Sequence, residues 1–106
     1  MKESRQFPRY RTAVVVDFTS RDSRMTGLTW DVSLEGMFVR TTRPPQEGQP
    51  VRITLRFANR ELPLQGVVVR TFLAPSLNRE TPSGFAIAVR NGESYRSFVE
   101  SVALTA

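Results

Sequence analysis

Apolar and polar residues alternate with a period of two through most of the chain, and that alternation predicts strands. In the first run Val14, Val16 and Phe18 share one face, while Ala13, Val15 and Asp17 share the other. A turn at Ser20-Arg21-Asp22-Ser23 leads into a second run, with Thr26, Leu28, Trp30, Val32 and Leu34 on one face and Met25, Gly27, Thr29, Asp31 and Ser33 on the opposite one. This parity predicts that Trp30 lies in the core beside Leu28 and Val32, behind a polar outer face. Gly36 interrupts, and Met37 to Thr41 make a third strand before the loop Arg43-Pro44-Pro45-Gln46-Glu47-Gly48. In the fourth, Val51, Ile53, Leu55 and Phe57 point inward and Arg52, Thr54 and Arg56 outward. A tight turn at Ala58-Asn59-Arg60 opens a fifth run, Leu62 to Leu73, whose Pro63 and Gly66 mark an edge position or a bulge. After a polar loop over 74–83, Phe85, Ile87 and Val89 form a sixth strand.

The period then becomes helical. Tyr95, Phe98, Val99 and Val102 fall at i, i+3, i+4 and i+7, one apolar stripe on a short C-terminal helix. Six antiparallel strands of this length predict a closed barrel, all-β apart from that helix, which packs over an open end or side. No repeat, low-complexity tract or long Gly/Ser linker divides the chain. Residues 10–106 are read as one barrel domain with its helix, and residues 1–9 as a flexible N-terminal arm. The arm holds one large apolar side chain, Phe7, beside Pro8 and several charges, too little buried surface to offset the ~1 to 2 kcal/mol per residue of backbone ordering.

Composition narrows the chemistry. The 106 residues are 40% hydrophobic and 24% charged, with no Cys and no His. Disulfides, zinc sites of the usual ligand types and Ser/His or Cys/His nucleophile pairs are therefore excluded. Only Asp/Glu pairs remain for acid–base work, and Asp31 with Glu35 straddles two faces of a strand. The sequence thus predicts a non-enzyme with no catalytic residues, cofactor or metal. No apolar run approaches the ~18 residues of a membrane helix, and Met1-Lys2-Glu3-Ser4 opens no signal sequence, which predicts a cytoplasmic protein without membrane insertion.

The net charge is +5, and Lys2, Arg5, Arg9 and Arg11 against Glu3 alone concentrate most of it in the first eleven residues. Such an arm suits an anionic ligand, and arginine supplies every basic residue except Lys2. Its planar guanidinium favours bidentate pairing with phosphate or a guanine edge.

Two motifs follow in order. Arg5-Gln6-Phe7-Pro8-Arg9 is an RxxxR segment just ahead of the first strand, and Asp31-Val32-Ser33-Leu34-Glu35-Gly36 is a DxSxxG segment closing the second. RxxxR alone says little, since Arg52/Arg56 and Arg56/Arg60 share its spacing. DxSxxG is sharper, with about 0.03 occurrences expected from this composition in random order. Together with Met37-Phe38-Val39, the Gly84 to Val89 strand and the closing helix, they resemble the PilZ domain, a bacterial receptor module for the second messenger cyclic di-GMP.

The resemblance implies that Arg5 and Arg9 hold phosphate and guanine, that Asp31, Ser33 and Gly36 line the base site, and that Arg11 and Arg40 stand at its rim. The chemistry fits. A carboxylate and a hydroxyl at i and i+2 of a strand share a face, where they can accept the guanine N1 and N2 hydrogens. Gly36 allows a positive φ or a close backbone approach. A micromolar Kd is roughly 8 kcal/mol, and one charged hydrogen bond nets only ~1.5 to 3 kcal/mol, so the site must be composite. Ser4 stands where many relatives carry a further basic residue, which leaves open one ligand molecule or an intercalated pair.

The predicted partners are cyclic di-GMP and an effector protein, in the control of motility, pili or exopolysaccharide. A PilZ fold acting as a protein-interaction module without nucleotide is the alternative. A small basic barrel that binds nucleic acid is a weaker one, because Phe18, Trp30, Phe57 and Phe85 all fall on apolar faces, away from any stacking platform.

Overall fold

The computed structural model describes residues 7–73, 83–90 and 92–105. Seven strands and a helix follow in order: β1 (Tyr10–Arg11), β2 (Val15–Ser20), β3 (Ser23–Val32), β4 (Gly36–Arg40), β5 (Pro50–Phe57), β6 (Arg60–Phe72), β7 (Gly84–Arg90) and α1 (Glu93–Thr105). Pairing is antiparallel throughout, in the order β1-β3-β2-β5-β6-β7-β4, and β4 also pairs with β3. That last pairing closes the six longer strands into a barrel, as the alternation predicts. Two-residue loops turn the hairpins β2–β3 and β5–β6. Ala58 and Asn59 both take positive φ, 52° and 61°, the backbone twist that a two-residue hairpin loop demands.

The barrel interior is filled by side chains from the predicted inward faces. Val16, Phe18, Val51, Ile53, Leu55, Phe85 and Ile87 are all buried. The rings of Phe18 and Phe85 meet edge to face at 4.9 Å. The predicted stripe of α1, Tyr95, Phe98, Val99 and Val102, joins the same core, and Phe98 meets Phe57 of β5 edge to face at 4.9 Å.

Two expectations need correction. The second run does not keep its parity. The β3–β4 register shifts between Thr29 and Asp31, so Trp30 is an extra residue in the strand. Before this bulge the inward face is the one that carries Thr29, which is 1% exposed, while Leu28 is 41% exposed; beyond it Val32 is inward at 0%. Trp30 therefore leaves the core and sits half-buried on the outer surface. Nor does β6 bulge at Pro63 or Gly66. Its register slips between Val68 and Arg70, and Gly66 is instead a close approach, where a Cβ would stand 2.5 Å from the Ile87 side chain. Pro63 pairs only with β5, because β7 begins its pairing at Gln65, so it holds a local edge.

The short β1 is not visible in the periodicity. It continues the β2 edge of β3 after a break over residues 12–14, and the break is bridged by a buried hydroxyl. Thr29 Oγ1 accepts the Val14 N–H at 2.9 Å and donates to the Thr12 carbonyl. The expected arm falls partly on residues 1–6, outside the described residues. Phe7 is half-buried and lines a small cleft with Leu34 and Tyr95.

Candidate functional site

Pairing of Tyr10 with Val32 and of Arg11 with Asp31 sets the chain ahead of β1 beside the end of β3. Arg9 thereby reaches the DxSxxG segment, with its Nη1 3.9 Å from Asp31 Oδ2. The Arg9 side chain is 44% exposed and that of Asp31 19%, so the pair stands at a surface opening.

Beyond Asp31 the chain reverses in a tight turn. Ser33 N–H donates to the Gly36 carbonyl at 2.8 Å and Gly36 N–H returns to the Ser33 carbonyl at 3.2 Å, with Leu34 and Glu35 between them. The Ser33 hydroxyl is buried in this turn and accepts the Glu35 N–H at 3.2 Å. Gly36 has no positive φ; its need for glycine is space, because a Cβ there would lie 1.8 Å from the Ile87 carbonyl oxygen of β7. From below, the Tyr95 hydroxyl lies 2.7 Å from both the Ser33 and Gly36 carbonyls. With one hydrogen to share between them, it pins the turn to α1. Burial pushes the Tyr95 phenol well above its usual range, and the nearby Asp31 charge adds to it.

Two adjoining clefts open here. The smaller, about 210 Å³, is lined by Arg9, Asp31, Ser33, Gly36, Phe38 and Ala88 among others. The larger, about 540 Å³, shares Arg9, Asp31 and Phe38 and adds Trp30, Arg70 and Phe72. The displaced Trp30 carries the Arg11 guanidinium 3.9 Å from its ring centroid and the Arg40 guanidinium at 5.0 Å. Both rim candidates are thus held beside the larger cleft.

Arg9, Asp31, Ser33 and Gly36 come together, with Arg11 and Arg40 next to them, while Arg5 lies outside the described residues. Arg56, which shares the RxxxR spacing, is elsewhere, bound to Asp17 at 2.6 Å and Glu61 at 3.0 Å. The sequence reading missed the outer wall. Val69 is the bulged residue of β6 and Arg70 and Phe72 follow it, and the signal for them is the apolar surface left outside, Val69 at 56% exposure and Phe72 at 37%. Among the described residues no three Asp or Glu gather as a metal site, and no helix is long and apolar enough to cross a membrane.

No curated protein matches the chain. Among solved structures, the inhibitor of motility MotI/DgrA of Bacillus subtilis aligns with a TM-score of 0.78 at 16% identity, over 98% of this chain and 51% of that one. The chain thus spans about half the length of MotI. The PilZ domain with c-di-GMP of YcgR from Escherichia coli gives 0.74 at 13% identity, over 97% of this chain and 91% of that one. The PilZ domain of CeSA from a cellulose-synthesizing bacterium gives 0.63 at 22%, over 87% and 89%. These likenesses establish the barrel. The PilZ domain model itself matches residues 3–90. With that match running from the arginine-bearing N-terminus through the Asp31–Gly36 turn to the last strand, the chain belongs to the PilZ domain family.

Proposed function

We propose that the protein is a cytoplasmic receptor for cyclic di-GMP that answers its ligand by rearranging residues 1–9 and passes the change to a partner protein. One observation carries this reading: Arg9 and Asp31 face each other at 3.9 Å over a cleft that also holds Ser33 and Gly36. That separation exceeds the ~2.7 to 2.9 Å of a tight charge-assisted hydrogen bond, so the exposed guanidinium is free to turn to a phosphate. Asp31 then accepts the N1 and N2 hydrogens of a guanine, and Ser33 and Gly36 bring the turn close to the base. Arg5 joins Arg9 on the phosphates from the arm, and Arg11 and Arg40 border the site from their seats on Trp30. The two clefts together offer the roughly 300 to 1,000 Å³ expected of a small-molecule site. YcgR, with its bound cyclic di-GMP, and MotI, an inhibitor of motility, support a signalling role in motility, pilus or exopolysaccharide control. The reading is of a binding domain without catalysis.

Isothermal titration tests it, with cyclic di-GMP, GTP and single-stranded DNA as titrants. A micromolar or tighter Kd for cyclic di-GMP alone is expected. Binding of DNA without cyclic di-GMP would make the barrel a nucleic-acid binder, and binding of none of the three would leave it an interaction module.

A further inference from the structure

Away from the two clefts at Asp31, the register lines up five outward side chains across five neighbouring strands. Arg24 of β3 pairs with Thr19 of β2, Thr19 with Arg52 of β5, Arg52 with Gln65 of β6, and Gln65 with Arg90 of β7. Directly paired residues project from the same face of a sheet, and these five are exposed except for the half-buried Thr19. Arginine and a neutral polar residue alternate along the row. No two arginines are cross-strand partners, so direct like-charge pairing is avoided while a line of positive charge is kept.

None of Arg24, Arg52 and Arg90 has an ion pair among the described residues. Asp17, one row away, is engaged by Arg56 and Thr26. A cleft of about 530 Å³ runs along the row, lined by Arg21, Arg52, Gln65, Gly66 and Arg90 among others, with no carboxylate and no aromatic ring in its lining. It shares no residue with either cleft at Asp31.

We infer that this row is a docking surface for a partner protein, and that its occupant is a helix carrying carboxylates on one face. The spacing selects it. Strands lie about 4.8 Å apart, so successive arginines of the row are about 10 Å apart. Carboxylates at i, i+7 and i+14 of an α-helix stand about 10.5 Å apart on a single face. Arginine pairs bidentately with each of them. Single-stranded nucleic acid is disfavoured because neither row nor cleft offers a ring for base stacking. The surface is separate from the clefts at Asp31 and its test uses no cyclic dinucleotide, so the two readings fail independently.

The test is an NMR titration of the ¹⁵N-labelled full chain with a 20-residue alanine-based helical peptide bearing glutamate at positions 3, 10 and 17. A peptide of equal composition, with its glutamates on three different faces, is the comparison. Shifts should centre on Arg24, Arg52, Gln65 and Arg90. The triple variant Arg24→Ala, Arg52→Ala and Arg90→Ala should weaken binding by about 10-fold. Arg43→Ala with Arg60→Ala and Arg96→Ala, an equal change of charge, should weaken it less than about 2-fold. Equal weakening in both triple variants, shifts centred elsewhere, or equal affinity for the two peptides would overturn the inference. Tighter binding of a 20-base-pair DNA duplex at the same salt would assign the row to nucleic acid instead.

Discussion

The phenol of Tyr95 reaches 59 residues back along the chain to the carbonyl of Gly36, at 2.7 Å, and so fastens the C-terminal helix to the turn of the DxSxxG segment. It is equally close to the Ser33 carbonyl. Tyr95→Phe keeps the ring in the core and removes only this tie. A loss of about 1 kcal/mol in urea unfolding is expected, with faster amide exchange at Ser33 and Gly36. Unchanged exchange at those two amides would show that the turn holds itself.

The same phenol gives the protein an alkaline limit. Burial raises its folded pKa above the value of about 10 that it has in the unfolded chain. The neutral phenol therefore contributes its full stability below about pH 10, and loses it as the pH climbs toward the folded value. Unfolding free energy should fall above about pH 10 in the native protein, and more steeply than in Tyr95→Phe. Parallel pH profiles for the two proteins would contradict this.

Thr29 holds the short β1 in place from inside. Thr29→Val conserves the shape but strips the Val14 N–H of its acceptor and the Thr12 carbonyl of its donor. The expected loss is about 1 to 3 kcal/mol, roughly 5 to 20 °C in Tm for a domain of this size. Because β1 sets Arg9 against Asp31, ligand affinity should fall as well. An unchanged affinity would mean that Arg9 needs no support from β1.

How far the sequence can be read follows from where its periodicity breaks. Val51, Ile53 and Leu55, and the stripe from Tyr95 to Val102, are legible because nothing interrupts their period. Trp30 is misread because one inserted residue reverses the parity of all that precedes it, and Thr29-Trp30-Asp31 contains no Gly or Pro to announce a bulge. A two-residue strand such as β1 has no period to detect, and exists only through its partners Asp31 and Val32. Asp31, Ser33 and Gly36 are recognisable by spacing, whereas Phe72 and Arg70 reach the cleft only because β6 slips by one residue near Val69. No local pattern encodes that slip.

The displaced Trp30 supplies a reporter. It is the only tryptophan in the chain, and it lines the same cleft as Arg9 and Asp31 with two guanidiniums against its ring. Cyclic di-GMP should change its emission in a saturable way, with the Kd found by calorimetry, whereas GTP at the same concentration should not. An emission spectrum indifferent to bound ligand would put the nucleotide away from the larger cleft.

Single substitutions separate the site from its look-alike. Arg9→Ala and Asp31→Ala should each lose about 1.5 to 3 kcal/mol of cyclic di-GMP binding, on the order of 10- to 150-fold. Arg52→Ala and Arg56→Ala should bind normally, since Arg56 serves Asp17 and Arg52 lies on the far row. Cyclic di-AMP should bind much more weakly than cyclic di-GMP, because adenine lacks O6 and the N1 and N2 hydrogens that the proposed role of Asp31 requires. Equal affinity for the two dinucleotides would remove Asp31 from the base site.

The arm carries the last prediction. In the proposed complex a dianionic ligand resting on Asp31 and Ser33 would leave its phosphates toward solvent, where Arg5 and Arg9 would close over them. Pro8 restricts the conformations that residues 1–9 must give up, which lowers the entropic cost of closing. Hydrogen exchange over residues 2 to 11 should slow when cyclic di-GMP is added, and deletion of residues 1–9 should weaken binding by more than the loss of Arg9 alone. Full affinity in the truncated chain, or exchange in the arm that ignores the ligand, would place the signal that a partner reads elsewhere on the barrel.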